Sequence, residues 1–330
     1  MNGFDVIGDI HGHVDALIRL LAAMDYREQD GVYRHASRLV VFLGDFVDRG
    51  PRQREVLRIG RAMVEAGAAR AVMGNHEFNA IGFATPDGDC GFLRPGTDKN
   101  RAQHRAFLHE IGDGSADHGD AVAWFKTLPL WLDLGGLRVV HACWNAAAQR
   151  TLAGWLDDQN LLTEIGYVET HKRGGAAFAA AEILLKRPEA RLPNGRFFHD
   201  KDGHLRHEAR LRWWDPAATT FRRAALGMEG RELDLPEDPV PADYAYGDTV
   251  SVLFGHYWMG GEPRILHPGA SCLDFSVANG GFLTAYRWSG EPELCAENLV
   301  WVPSAGPYVN VGEEPGGGVG VVASHARTRT

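Results

Sequence analysis

The sequence predicts a layered α/β domain, on three observations. Short apolar runs read as buried strands, apolar residues at helical spacing lie between them, and the two alternate as strand, helix, strand, helix, strand from Phe4 to Met73.

Phe4 to Gly8 is the first strand and ends at Asp9. Val14, Leu17, Ile18 and Leu21 then mark one face of a helix expected over Val14–Met24. Arg38 to Leu43 is the second strand, ending at Gly44-Asp45. Arg52 to Ala66 is predicted helical, with Pro51 suited to its first turn. Ala69 to Met73 is the third strand, ending at Gly74-Asn75-His76. The Gly, Asp and His content from about 79 to 120 predicts an insertion or a set of active-site loops. Leu137 to Val140 is a further strand, ending at His141, and the Ala- and Leu-rich residues 145–190 are predicted mostly helical. Residues 190–248 carry no clear period. Val250 to Phe254 is the next strand, ending at Gly255-His256, and Ser271–Phe275 with Phe282–Trp288 read as paired closing strands. From Pro303 onward Gly, Pro, Ser and Thr dominate, so a disordered tail is expected over 303–330.

A hydrophobic content of 45% over 330 residues supports a sizeable core. Thirty-four basic against 43 acidic residues, a net charge of −9, argue against a broad basic nucleic-acid surface but leave room for a local cationic site. Cys90, Cys143, Cys272 and Cys295 are far apart and form no CxxC pair, so neither a zinc knot nor a thioredoxin-type site is suggested. Neither a signal peptide nor an apolar run of membrane-spanning length is read, and a reducing cytoplasm is the expected location.

Five of the strands end in side chains competent to bind metal. The chain writes them as Gly8-Asp9-Ile10-His11-Gly12, Gly44-Asp45-Phe46-Val47-Asp48-Arg49-Gly50, Gly74-Asn75-His76-Glu77, Val140-His141 and Gly255-His256. Ligand sites of open α/β sheets form at the carboxyl ends of strands, so these loops are expected to converge. Asp9 and His11 flank one residue and can face the same side of an extended segment. Carboxylate, imidazole and amide donors without thiolate suit Mn, Fe, Zn or Ni. A carboxylate such as Asp45 can bridge two cations, and two cations about 3.5–4 Å apart clamp a phosphate and lower the pKa of a bridging water.

The first three motifs together resemble the signature of the calcineurin-like metallophosphoesterases, in detail their phosphoprotein-phosphatase branch. Gly-Asp-x-His-Gly, Gly-Asp-x-x-Asp-Arg-Gly and Gly-Asn-His-Glu are intact and in order. The resemblance is close over residues 5–77 and looser to about 290. It implies a central β-sandwich flanked by helices, with a helical insertion, in a catalytic domain over 1–300; about 145–248 is long and departs from the family pattern, and substrate choice is expected there. It implies that Asp9 and His11 hold a first metal, that Asp45 bridges, and that Asn75, His141 and His256 hold a second. Manganese is the first expectation, with Fe, Zn, Ni or Co as alternatives. His76 would protonate the leaving oxygen with Asp48 orienting it, and Arg49 would grip the phosphoryl oxygens. A metal-bridging hydroxide would attack phosphorus directly.

Cys272-Leu273-Asp274-Phe275 and Gly280-Gly281-Phe282-Leu283-Thr284-Ala285 resemble the closing strands of bacterial diadenosine tetraphosphatase-like and polynucleotide-phosphatase-like members. That makes Asp274 a secondary site candidate, the alternative being a strand-end turn carboxylate. Arg210 and Arg212 offer a second phosphate grip or a solvated role, and Trp213 and Trp214 read as core or cleft wall. His13, His35, His104, His109, His118, His199, His204 and His207 show no partner pattern and are expected on the surface or in loops. The expected activity is hydrolysis of phosphate monoesters, on phosphoprotein or a small phosphorylated molecule. A dinucleoside polyphosphate hydrolase is the first alternative; a nucleic-acid end phosphatase and a non-catalytic metal-binding module follow.

Overall fold

The computed structural model describes residues 3–199, 205–228, 235–241 and 244–304. Phe4–Ile7 pairs in parallel with Leu39–Phe42, which pairs in parallel with Ala69–Ala71. On its other edge Phe4–Ile7 runs antiparallel to Phe282–Trp288, and that long strand also carries Asp274–Phe275 and Leu299–Pro303. These six strands form the first sheet. The second has four, in the order Ala270–Cys272, Ser251–Phe254, Leu137–Val140, Trp131–Asp133, parallel except for the last.

The strands are mostly apolar because both faces are covered, with Asp5, Arg70 and Arg138 among the exceptions. Val6 and Val41, partners in register, face between the sheets and pack with Val139 and Leu253, also partners in register. Their neighbours Ile7, Val40 and Phe42 join a second core with the helices Val14–Ala23 and Gln53–Glu65. Those helices bury Leu17, Leu20 and Leu21, and Val56, Ile59 and Met63, each such side chain contributing roughly 1.5–3 kcal/mol. Val140, Val252 and Phe254 join a third core with Trp213, Trp214 and Tyr246. The result is the expected sandwich, with helices outside the first sheet and the described residues of 190–248 outside the second.

The stretch from 79 to 120, expected as an insertion or a set of active-site loops, is largely helical, with a loop over 85–97. Its helices are Asn75–Ala84, Asp98–Gln103 and Ala116–Phe125, with Arg105–Phe107 running into a wide turn at Leu108–Gly112. The Thr97 and Ser115 hydroxyls cap two of them by accepting from Asn100 N at 3.3 Å and His118 N at 3.1 Å. Phe107, Ile111, Trp124 and Phe125 anchor the region in the core. Among the described residues of 145–248 the longer helices end at Leu185. Beyond it Glu189–Arg191, Glu208–Leu211 and Ala225–Leu226 form a three-stranded sheet packed on the second sheet's outer face.

The expected strand Ser271–Phe275 divides. Ala270–Cys272 belongs to the second sheet and Asp274–Phe275 to the first, with Leu273 buried between them. Leu299–Pro303 is a strand the composition did not suggest, and residues from 305 on, most of the expected tail, lie outside the described residues. Among the described residues no helix is long and apolar enough to cross a membrane.

Candidate metal centre

The parallel strands of both sheets deliver their carboxyl ends to one place. Asp9 and Asp45 follow the first two strands of the first sheet, and Asn75 opens the helix after the third. His141 and His256 follow neighbouring strands of the second. Backbone bonds lock the loops together: His11 N donates to Asp45 O at 2.9 Å and Gly255 N to His141 O at 2.7 Å. His256 N donates to Asp9 Oδ2 at 3.1 Å and joins the sheets.

Close approach explains two of the flanking glycines. A Cβ on Gly74 would lie 2.3 Å from Asp45 N and Oδ1, and one on Gly255 would lie 2.0 Å from Asp9 Oδ1. Five non-glycine residues of the site, His11, Asp45, Asp48, Arg49 and His256, have φ between 48° and 75°. Such left-handed backbone is costly and persists only where the surroundings over-determine it.

Two donor groups share Asp45. His11, Asp45 and His76 form one, and Asp45, His141 and His256 the other; within each the candidate ligand atoms lie within 4.8 Å of one another. Asp45 Oδ2 is 3.6 Å from His11 Nε2, and Asp45 Oδ1 is 3.5 Å from His141 Nε2. Asn75 Oδ1 sits 3.0 Å from His141 Nε2 and 2.7 Å from His256 Nδ1. Asp9 is buried beside them, but its carboxylate is in neither group.

The chemistry of this set fits divalent cations. His11 Nδ1–H donates to Val47 O at 2.9 Å and His141 Nδ1–H to Leu43 O at 2.7 Å. Burial holds His11 down at about 3 and also lowers His141, and with each Nδ1–H donating to a carbonyl the two Nε2 atoms turn inward. His11 Nε2 is buried with no hydrogen-bond partner. Burial, then Asp274 and Asp45, push the Asp9 carboxyl well above its usual range. Crowded carboxylates facing bare lone pairs are what a bound cation would relieve.

His76 Nδ1–H donates to Asp48 Oδ2 at 2.6 Å. Burial works against the His76 charge, but Asp45 and Asp48 outweigh it and raise its pKa. His104, expected on the surface, is buried instead, and its Nδ1 lies 2.9 Å from the same Asp48 oxygen. Burial would raise Asp48, yet His104 and then His76 hold its pKa below the ordinary range. His118 is also buried, its Nδ1 accepting from Gly114 N. Arg49 lies over the Trp258 ring, 4.0 Å from its centroid.

Glu77, given no role from the sequence, is the hub of the loops. Its carboxylate accepts from Asp45 N at 2.8 Å, Phe46 N at 2.9 Å and Gly74 N at 3.0 Å. Its place three residues after Gly74 is the capping-box signal that could have revealed it. Asp274 is buried near Asp9 and accepts from Trp258 N at 2.7 Å and Ser276 N at 3.0 Å, bonds that fit the turn reading. Burial pushes it up to about 6, with Asp45 adding to the rise.

Beside the centre opens a cleft of about 320 Å³, lined by Asp48, Arg49, Asn75, His76 and His256 on the metal side and by Arg94, Lys186, Arg187 and Arg210 beyond it. Arg212 is not in that lining; it lies near enough to Tyr244 to act on its charge. Trp213 and Trp214 are core, the Trp213 indole N–H donating to Ala142 O at 3.0 Å.

A sequence profile of the calcineurin-like phosphoesterases matches residues 4–216, and the chain belongs to that family, whose members use a binuclear divalent-metal centre. Its curated relatives include an asymmetrical bis(5'-nucleosyl)-tetraphosphatase PrpE of Halalkalibacterium halodurans, 45% identical over 22% of this chain and only 30% of that protein's length. Another protein of that name, from a Geobacillus species, is 36% identical over 92% of this chain and 96% of its own length. A symmetrical bis(5'-nucleosyl)-tetraphosphatase of Methylococcus capsulatus is 31% identical over 88% of this chain and 93% of its own.

Proposed function

We propose that this chain hydrolyses phosphoanhydride bonds of dinucleoside polyphosphates at a two-metal centre, with phosphate monoesters as lesser substrates of the same centre. The observation that carries the choice of substrate is the cationic wall. A monoester offers one phosphate, which Arg49 and the metal ligands can already meet. Arg94, Lys186, Arg187 and Arg210 add four cations along the same cleft in a chain of net charge −9. Arg187 and Arg210 strain each other: burial and then Arg187 lower the Arg210 pKa to about 10. A row of phosphates relieves that strain. The names of the relatives point the same way.

In this reading Asp9, His11 and Asp45 hold one cation, and Asp45, Asn75, His141 and His256 the other. Bound there, the cations neutralise phosphoryl charge and lower the pKa of the attacking water. Manganese is proposed first, on a donor set of oxygen and nitrogen. Arg49, braced on Trp258, orients the phosphoryl oxygens. His76, with Nδ1–H anchored on Asp48, presents Nε2–H to the leaving oxygen. Three of the wall cations, Lys186, Arg187 and Arg210, come from the 145–248 region, which supports its reading as the substrate-specifying part. Four free cysteines suit a reducing cytoplasm.

Steady-state assays with Mn, Co, Ni and Zn test this on diadenosine tetraphosphate, a phosphopeptide and 4-nitrophenyl phosphate. A kcat/KM at least tenfold higher for the tetraphosphate is expected. Parity with the phosphopeptide would return the reading to a monoesterase, and no turnover on any substrate would leave a metal-binding module.

A further inference from the structure

We infer that His104 is a positioning residue for the leaving-group acid, its Nδ1–H holding the Asp48 carboxylate in the orientation that receives His76. The inference rests on the proposed role of His76.

Asp48 lies between two imidazoles. His76 Nδ1 approaches Oδ2 at 2.6 Å, and His104 Nδ1 approaches Oδ2 at 2.9 Å and Oδ1 at 3.0 Å. All three side chains are buried. Among the described residues these rings are the only donors to that carboxylate. A buried carboxylate with one donor can rotate away from it; two donors from separate elements leave it a single arrangement.

His104 is itself held by packing rather than by further hydrogen bonds. Its ring stacks on Phe107 at 4.8 Å and meets Phe83 edge-on at 5.7 Å, while its Nε2 is buried without a hydrogen-bond partner. The backbone below is fixed as well, since Asp48 N donates to Gln53 Oε1 at 2.7 Å. The arrangement therefore runs from a helical region with no recognisable motif, through one carboxylate, to the acid. Outer hydrogen bonds of this kind are typically worth 10–100-fold in activity.

An acid matters most when the leaving group is poor, and the test uses that. The full chain, loaded with manganese, is assayed on phenyl phosphate and on 4-nitrophenyl phosphate. His104→Phe keeps an aromatic ring and removes the donor; His104→Asn restores a side-chain N–H. With phenyl phosphate, His104→Phe is expected to lower kcat roughly 10–100-fold, leaving KM and metal content unchanged. The loss on 4-nitrophenyl phosphate should be several-fold smaller, and His104→Asn should recover most of it. Equal losses on both substrates, or no loss, in a folded, metal-replete His104→Phe protein would overturn the inference. His76→Asn is the control and is expected to cost about 10²–10⁴-fold on phenyl phosphate. If that control is insensitive to the leaving group, the acid assignment itself fails. Should His104→Phe not fold, ¹⁵N spectra of the wild-type imidazoles decide. A protonated His104 Nδ1 that shifts on Asp48→Asn supports the inference, and an unprotonated one overturns it.

Discussion

The candidate metal cage and the cleft wall that faces it are built on opposite plans. The cage takes its side chains from the ends of buried parallel strands, holds several in left-handed backbone, and ties their loops through Glu77 and through backbone bonds between the sheets. The wall takes Arg94 from a loop, Lys186 and Arg187 from the end of a helix and Arg210 from the central strand of a small sheet, and holds the first three by side-chain partners, Gln103, Glu182 and Glu189. Ligands that must meet an ion within tenths of an ångström need rigid, contiguous segments. A wall that supplies only charge and room does not.

The contrast breaks first at Asp45. Asp45→Asn removes the carboxylate common to both donor groups, and metal analysis with kcat should show both metal and nearly all turnover gone. Retained metal at wild-type stoichiometry would show that the shared carboxylate is dispensable. The wall is sharpened by Arg94→Ala with Arg210→Ala. Each charged hydrogen bond to a phosphate is worth about 1.5–3 kcal/mol, so KM for diadenosine tetraphosphate should rise at least tenfold while kcat/KM for 4-nitrophenyl phosphate stays within about twofold. A parallel fall for both substrates would merge wall and cage into one function.

The smallest expected effect separates packing from chemistry. His171 stacks on Phe78 at 4.3 Å, donates from Nδ1 to Tyr167 O at 2.8 Å, and is held down at about 4, chiefly by burial. Its folded pKa lies below the unfolded value near 6.5, so between about 6.5 and 4 the unfolded chain binds the extra proton and stability falls with falling pH. Above about pH 7 the group contributes no pH dependence. His171→Gln should flatten this slope, gaining on the order of 1 kcal/mol relative to wild type at pH 5 after allowance for its partial exposure. The check is melting temperature against pH for the two proteins, and parallel curves would assign the slope elsewhere.

The strand ends that carry the candidate cage were legible in sequence and most of the wall was not, for a physical reason. A strand covered on both faces reads as a largely apolar run, unbroken in Leu39–Phe42 and broken once each by Asp5 and Arg138 in Phe4–Ile7 and Leu137–Val140, so these strands announce both themselves and the residues that end them. Arg210 and Arg212 sit in one segment, and nothing in their spacing tells which lines the cleft; the structure chooses Arg210. His104 was obscured by neighbours whose Gly, Asp and His content reads as loop. Its burial is set by Phe83 and Phe107, contacts that exist only after the helices pack. The Thr97 and Ser115 caps were present in that stretch, but a cap alone does not say that a helix follows.

Leu273 has a mechanical consequence. Because one short segment pairs in the second sheet up to Cys272 and in the first from Asp274, it is a stitch that prevents the two sheets from sliding past each other. Shear between them would tear either ladder, so the halves of the cage stay in register through each turnover. Any breathing that admits a bulky substrate must then be confined to the outer rim.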